Sequence, residues 1–202
     1  MKKFGKRLLL SAVCICLMSG CSNSTANKEI MLNEKLSFET QVFQADGFTL
    51  EIPKGWTRVL KEGVEPSKLI YTFVDEEAEV GSQLFTLTKF NITGEQPSLD
   101  DALMRYDQNY RGKVKTQFPS NDDFFVGYLK APIGDVIAVN FTIQNTSGEY
   151  DILQETNLFT NTVGDSYQLI AIQKVEKDGK LDGGKIDARE AAYHAVKTIK
   201  KS

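Results

Sequence analysis

The sequence is poor in the residues with which enzymes hold metals or build nucleophilic sites. It has three cysteines, Cys14, Cys16 and Cys21, and one histidine, His194. The sequence therefore has too few of these residues for zinc catalysis or for a Ser-His or Cys-His nucleophilic pair. His194 lies away from the apolar face of the last predicted helix, so we expect it to be solvated at the surface. Neither G-x-G-x-x-G nor G-x-x-x-x-G-K-[ST] occurs, so neither glycine-rich phosphate motif is present.

Acidic residues are missing from the N-terminal segment, and the apolar run that follows is short. No acid occurs before Glu29, while the first seven residues carry four positive charges. The run LLLSAVCICLM covers residues 8–18. As a helix it would span roughly 16 Å, about half of the ~30 Å hydrocarbon core of a bilayer, so it is too short for a membrane helix. This order of charged and apolar residues is typical of a secretory signal peptide.

The residues after this run resemble the lipobox of bacterial lipoproteins, in which an aliphatic and two small residues precede a modified cysteine. Here Met18, Ser19 and Gly20 precede Cys21. The resemblance implies cleavage between Gly20 and Cys21, with residues 1–20 as the signal peptide, and lipid on the Cys21 thiol. Two acyl chains hold a protein at a bilayer almost permanently. The alternative is an ordinary secretory leader cut nearby, with Cys21 an incidental thiol.

The chain that remains after cleavage is acidic. Removing the four basic residues of the leader leaves 20 Lys plus Arg against 27 Asp plus Glu, a net charge of −7. This balance argues against a nucleic-acid partner and against a basic patch that grips anionic lipid. Because Cys14 and Cys16 leave with the leader and Cys21 is alkylated, we expect no disulfide, thiol nucleophile or cysteine metal site.

The mature chain divides into a polar linker and one folded domain. Residues 21–39 begin with small polar residues and lack a sustained strand pattern, so they are predicted to be a flexible tether. Residues 40–202 are long enough for a single domain. Their dominant pattern is alternation, as in Phe48, Leu50 and Ile52, which indicates strands of a sheet with at least one covered face.

Two segments of this domain have helical spacing. Ser98, followed three residues later by Asp101, predicts the start of one helix, and Leu99, Ala102, Leu103, Tyr106 and Tyr110 form its apolar stripe. Asp187 with Glu190 predicts a capping box for a second helix. Strands, helix, strands and helix with short turns predict an α+β fold, an antiparallel β-sheet covered by helices.

Residues 47–56, GFTLEIPKGW, resemble the opening of PsbP-like and DcrB-like domains. In this stretch Pro53 would end a strand, Gly55 would permit a turn, and Trp56 would pin the turn to the core. The order of elements is also similar to that family. The resemblance implies a PsbP-like α/β/α sandwich and an accessory protein outside the cytoplasm, often a lipoprotein, and it carries over no site residue.

One segment superficially matches a calcium-binding loop. With Asp178 as position one, Asp182 and Gly183 fall at positions five and six. Lys180 at position three and Arg189 at position twelve do not fit, because position twelve needs a bidentate acid. We interpret the segment as a turn that leads into the second helix.

Three further groups of residues have ordinary structural interpretations. The acids of VDEEAEVG and NDD fall in predicted turns, where they would be solvated and not held as a catalytic pair. Trp56 and the tyrosines are predicted to pack in the core rather than to stack on a ligand. The tyrosines concerned are those at positions 106, 110, 128, 150 and 167. We expect no metal and no cofactor.

These observations predict a non-enzymatic lipoprotein of the cell envelope. Lipid on Cys21 would hold it at the extracytoplasmic face of a membrane, where a sheet face or cleft would meet an envelope protein or a small ligand. A hydrolase that acts on envelope polymers through carboxylates, or a small solute-binding component, are the alternatives. Two acids converging in a pocket would favour the hydrolase.

Overall fold

The computed structural model describes residues 28–32, 35–45, 47–59, 70–75, 83–117, 124–144, 152–175 and 186–201. Within these ranges, ten strands and two helices follow one another along the chain. The strands are β1 (Thr40–Ala45), β2 (Phe48–Pro53), β3 (Trp56–Val59), β4 (Ile70–Asp75), β5 (Gln83–Ile92), β6 (Phe125–Ala131), β7 (Gly134–Gln144), β8 (Ile152–Thr160), β9 (Gly164–Val175) and β10 (Lys200–Lys201). The helices are α1 (Leu99–Gln117) and α2 (Ala188–Thr198).

The strands form two antiparallel sheets. The main sheet has seven strands in the order β3-β4-β5-β9-β8-β7-β6. The small sheet has β2 in the middle, with β1 on one side and the short β10 on the other. Because β2 and β3 are joined by a tight turn yet lie in different sheets, the chain changes sheet at Lys54 and Gly55.

The larger core lies between one face of the main sheet and a layer formed by α2 and the small sheet. The small sheet contributes Phe48, Leu50 and Ile52, which are at most 3% exposed. Helix α2 contributes several alanines, whose small side chains allow the helix to lie close to the strands. Its buried residues are Ala188, Ala191, Ala192, Tyr193, Ala195 and Val196.

The smaller core lies on the opposite face of the main sheet, beneath α1. Ile137, Val139 and Phe141 of β7 face this core. Their neighbours Val136 and Ala138 face the larger core. Successive side chains of a strand point to opposite faces, so β7 is covered on both sides and is apolar at five of the six positions from Val136 to Phe141.

The predicted fold, an antiparallel β-sheet covered by helices in a PsbP-like α/β/α sandwich, is wrong. The described residues are mostly antiparallel β-sheet, with 56% of them in strands against 22% in helices. Seven strands spaced about 4.8 Å apart make a sheet roughly 30 Å wide, whereas a helix with its side chains is only about 10 Å wide. One helix on each face therefore covers two or three strands. On one face the small sheet lies beside α2 as further cover, so the fold is β-rich and is not a sheet covered by helices alone.

The helix starts follow their predicted caps. The backbone amide of Asp101 donates to Ser98 Oγ over 3.1 Å at the start of α1. The Asp187 carboxylate accepts from the amides of Arg189 and Glu190 at the start of α2. The side chain of Glu190 does not complete a capping box, because its carboxylate binds the amide and hydroxyl of Ser37 instead.

The turn after β2 also has the predicted form. Gly55 has φ +88°, a left-handed conformation that glycine adopts without strain. Trp56 is 1% exposed and its ring contacts the ring of Phe85. The side chain of Gln41 donates to the carbonyl of Trp56 over 2.8 Å, which ties the turn to β1.

Residues 28–32 lie beside β6 at the edge of the main sheet. The Ile30 amide donates to the Tyr128 carbonyl over 2.7 Å, and the Tyr128 amide donates to the Lys28 carbonyl over 3.0 Å. Gly127 directly precedes Tyr128, and a Cβ there would be 2.7 Å from the Lys28 carbonyl oxygen. The absence of a side chain at this position therefore allows the segment to approach the strand.

Part of the segment predicted as a tether thus contacts the domain. Ile30, Leu32 and Phe38 pack against the larger core. The Lys54 amide donates to the Glu39 carbonyl over 2.9 Å. Residues 21–27 lie outside the described ranges.

Candidate binding cleft

A cleft lies between the C-terminal half of α1 and the face of the main sheet that α1 only partly covers. Its volume is about 360 Å³. The helix contributes Tyr110, Lys113 and Val114. The sheet contributes two residues from each of three strands, Phe141 and Ile143 of β7, Glu155 and Asn157 of β8, and Gln168 and Ile170 of β9.

Strand register places these six sheet residues on one face. Phe141 is paired with Glu155 across β7 and β8, and Asn157 is paired with Ile170 across β8 and β9. Directly paired residues in an antiparallel sheet point to the same side, as do residues two apart along a strand. The cleft floor is therefore a three-strand patch with apolar residues around a polar centre.

Glu155 and Asn157 form that polar centre. The Asn157 side-chain Nδ2 donates to Glu155 Oε1 over 2.7 Å. Asn157 is only 2% exposed, so its amide is fixed by the surrounding strands. A hydrogen bond from a buried donor restricts the rotamers of the carboxylate, which is thereby positioned before any ligand arrives.

Tyr110 covers the polar centre from the helix. Its ring lies 6.0 Å from the Phe159 ring and 6.4 Å from the Phe141 ring, measured between centroids. Burial raises the pKa of Tyr110 to about 12, and the charge of Glu155 and the neighbouring Tyr106 add to the shift. The phenol is neutral at physiological pH, as an unperturbed tyrosine would be, and the shift keeps it neutral well into the alkaline range.

Lys113 is exposed and lies at the opening of the cleft. Across the described part of the chain, no ion pair within 4.0 Å joins Lys113 to Glu155. The cleft thus holds one positive and one negative side chain on different elements. Val114, Ile143 and Ile170 add apolar lining to the same cleft.

Most of the site residues predicted from the sequence lie outside the described ranges. These are the lipidation and cleavage residues Cys21 and Gly20, Asp178 to Gly183 of the calcium-like segment, and most acids of the two acidic turns, Glu76, Glu77, Glu79, Asp122 and Asp123. Within the described ranges, no three His, Cys, Asp or Glu side chains come together as a metal site. Neither α1 nor α2 is both long and apolar enough to cross a bilayer.

The prediction that His194 is a solvated surface residue is wrong. Its Nε2 lies 2.8 Å from a carboxylate oxygen of Glu51 in β2, and its side chain is 19% exposed. The ring also makes an edge contact with Phe38 at 6.2 Å between centroids. The hydrogen bond from His194 lowers the pKa of Glu51 below its usual value. This pair joins α2 to the small sheet and lies on the opposite face of the main sheet from the cleft.

The sequence did not predict the cleft, although β8 carries a signal for two of its residues. Leu153, Glu155, Asn157 and Phe159 alternate along the strand and point to one face. Glu155 and Asn157 thus lie between two apolar residues, on a face otherwise suited to a core. Polar residues in such a place indicate that the covering helix leaves a gap. Lys113 gave no comparable signal, because a lysine on a helix is normally a solvated residue.

No protein-family model matches the chain, and no curated protein sequence matches it. Among solved structures, it is similar to a protein from Bacteroides thetaiotaomicron VPI-5482, with 11% identity and a TM-score of 0.47. That match covers 83% of this chain and 49% of the other, so the chain spans about half the length of the Bacteroides protein.

A second similar structure is cyanobacterial PsbP (CyanoP) from Synechocystis sp. PCC 6803. The identity is 11%, the TM-score is 0.47, and the match covers 74% of this chain and 86% of CyanoP. A PsbP-like structure is thus among those that this chain resembles. Both TM-scores lie below 0.5, and neither similarity assigns the chain a family or a function.

Proposed function

We propose that the chain is a lipid-anchored lipoprotein of the cell envelope and that its domain is a non-enzymatic binding module. The observation that supports binding is the cleft under α1, where Lys113, Glu155 and apolar side chains converge. Concave sites with a few fixed polar groups among apolar ones are the usual ligand sites of proteins. The anchor is supported by the sequence, in which Met18, Ser19 and Gly20 precede Cys21.

Binding is favoured over hydrolysis by the composition of the cleft. Glu155 is the one acid among its described lining residues. Glycoside hydrolysis by carboxylates uses two, one as acid and one as base or nucleophile. Asn157 occupies the position beside Glu155 where a second carboxylate would lie on the same face. Holding a small solute at the membrane surface fits this arrangement better.

Metabolic labelling with an alkyne analogue of palmitate tests the anchor. We expect label on the wild-type chain and background label on Cys21→Ser. The matched control is Cys14→Ser, because that thiol lies in the leader and its loss should leave the label unchanged. Equal labelling of wild type and Cys21→Ser would contradict lipidation at Cys21.

Filling the cleft tests the binding role. The full chain, purified in detergent, is mixed with a small-molecule filtrate from the host envelope, and retained molecules are measured by native mass spectrometry. Ile170→Trp places a large ring in the cleft floor, so retention should be lost. Val163→Trp changes an exposed residue in the turn before β9 and should retain what wild type retains. Retention that is the same in wild type and Ile170→Trp, or absent from both, argues against the proposal.

A further inference from the structure

The cleft is lined by one basic and one acidic residue, which come from different elements. Glu155 is on β8 and Lys113 is on α1, and no ion pair joins them among the described residues. If they neutralised each other, a charged ligand would have to break that pair. Since they do not, each can form a charge-assisted hydrogen bond with a ligand of matching charge.

The inner end of the cleft suits an ammonium group. Asn157 binds Glu155 Oε1, which leaves Glu155 Oε2 as an acceptor. The rings of Tyr110 and Phe141 border the same space. Aromatic faces attract cations, and the attraction is stronger where water is excluded. The charge of Glu155 contributes to the raised pKa of Tyr110, so its field acts inside the cleft.

The outer end suits a carboxylate. Lys113 is exposed, so it can meet an anionic group without being desolvated first. Gln168, on the floor, can both donate and accept, as an amide or peptide group requires. The apolar lining residues Val114, Ile143 and Ile170 can bury an aliphatic side chain of the same ligand.

We infer that the cleft binds small zwitterions with an apolar side chain, of the class of amino acids and short peptides, with the ammonium group against Glu155 and the carboxylate against Lys113. This inference rests on the proposed binding function and specifies its ligand class. A volume of about 360 Å³ falls at the lower end of the range for small-molecule sites, which excludes long polymers as enclosed ligands.

Chemically blocked dipeptides test the inference on the unmodified protein. The full chain in detergent is titrated calorimetrically with Ala-Leu, with N-acetyl-Ala-Leu and with Ala-Leu-amide. Each blocked form lacks one of the two charges. A hydrogen bond to a charged group contributes about 1.5–3 kcal/mol, so we expect each blocked form to bind at least roughly tenfold more weakly than Ala-Leu. Because only the ligand changes, no variant has to fold.

Two variants then assign the charges. Glu155→Gln should weaken Ala-Leu by roughly tenfold or more and leave the weak binding of N-acetyl-Ala-Leu unchanged. Lys113→Gln should likewise weaken the binding of Ala-Leu by roughly tenfold or more and leave the weak binding of Ala-Leu-amide unchanged. Glu95→Gln and Lys197→Gln are the matched controls at exposed positions outside the cleft lining, and they should bind like wild type.

Equal affinity for blocked and unblocked dipeptides, or no binding of Ala-Leu, would overturn the inference. A different result would contradict the proposed binding function, namely retention that is the same in wild type and Ile170→Trp or absent from both. If Ala-Leu does not bind, but wild type retains another small molecule that Ile170→Trp loses, the cleft is a binding site for a different class of ligand.

Discussion

His194 Nε2 lies 2.8 Å from a carboxylate oxygen of Glu51, so the one histidine of the chain joins α2 to the central strand of the small sheet. A second bond supports the same contact, because the Glu51 amide donates to Thr198 Oγ1 over 3.0 Å. Thr198 is the last residue of α2, and β10 follows it after one residue. The histidine pair therefore lies where the C-terminal end of the chain joins the small sheet.

A double-mutant cycle on this pair should measure its coupling. His194→Gln and Glu51→Gln should each lower the free energy of unfolding by about 1 kcal/mol, and the double variant should lose less than the sum by about 0.5–1 kcal/mol. The exposed pair Lys54 and Glu39 is the matched control, with coupling near zero expected, since both side chains are more than two-thirds exposed. Strict additivity at His194 and Glu51 in chemical denaturation would contradict the contact.

The same pair predicts an acid dependence of stability. The pKa of Glu51 is lower in the folded protein than its usual 4.5, chiefly because of the hydrogen bond from His194. A carboxyl whose pKa is depressed by folding stabilises the protein above its unfolded pKa, and this contribution disappears as the pH falls through the folded value. The stability difference between wild type and Glu51→Gln should therefore be full at pH 6 and shrink below about pH 4.5.

Denaturant unfolding of both proteins from pH 6 to pH 3 checks this prediction. Glu95→Gln removes an exposed carboxyl from the loop before α1, and its stability difference from wild type should change less over the same range. A wild-type advantage over Glu51→Gln that is undiminished at pH 3 would show that the carboxylate does not stabilise the fold.

Local signals explain what the sequence predicted correctly. The caps at Ser98 and Asp187 and the alternating face of Phe48, Leu50 and Ile52 depend only on residues a few positions apart. Capping and strand alternation are properties of the local backbone, so they can be read before any tertiary contact is known.

Contacts between distant segments explain the features that the sequence did not predict. Thr49 pairs with Lys200, so β2 belongs to a sheet that only the far end of the chain completes. His194 lies off the apolar stripe of α2, but Glu51 and Phe38 approach it from elsewhere in the chain. Periodicity shows which face of an element is apolar. It does not show which segment covers the other face, and the layer architecture depends on that.

Gly127 should control how residues 28–32 are held. A Cβ at this position would be 2.7 Å from the Lys28 carbonyl oxygen, a contact that backbone atoms cannot relieve without moving. Gly127→Ala should therefore displace the segment from β6 and increase hydrogen exchange at the Ile30 amide, which now donates to Tyr128.

The control for this prediction is Gly112→Ala in α1. No atom outside its immediate chain neighbours and its own helix turn lies within 4 Å of a Cβ at Gly112, and alanine is favoured over glycine in a helix by about 1 kcal/mol. This variant should be at least as stable as wild type, with normal exchange at Ile30. Normal exchange in Gly127→Ala as well would mean that the close approach does not hold the segment.

A buried hydrogen bond between Asn140 and Tyr193 should be costly to remove. Asn140 Nδ2 donates to the Tyr193 hydroxyl over 2.7 Å, and Asn140 is 6% exposed. Its Oδ1 has no partner among the described residues. Tyr193→Phe would leave the whole amide unpaired, so we expect a loss of about 1–3 kcal/mol in the free energy of unfolding.

Replacing both partners tests whether that loss comes from desolvation. Asn140→Leu in the Tyr193→Phe background removes the unpaired amide with a side chain of similar shape, so much of the stability should return. Thermal unfolding of wild type, Tyr193→Phe and the double variant measures how much stability is lost and how much returns. A Tyr193→Phe variant as stable as wild type would show that water or a neighbouring group satisfies the amide.

Tyr110 should make the protein lose stability in alkali. Its pKa is raised from 10.0 to about 12, first by burial and then by the charge of Glu155. A tyrosine whose pKa is raised by folding contributes its stabilisation fully below the unfolded pKa, and this contribution is lost as the pH rises from about 10 towards the folded value. Tyr110→Phe should therefore unfold with a shallower pH dependence than wild type across that window.

Glu155→Gln should also make the pH dependence of stability shallower, because it removes part of the pKa shift of Tyr110, whereas the control Glu95→Gln should not. Identical slopes for wild type and Tyr110→Phe would mean that the phenol is solvated, and Tyr110 would then not be a buried wall of the cleft beside Glu155.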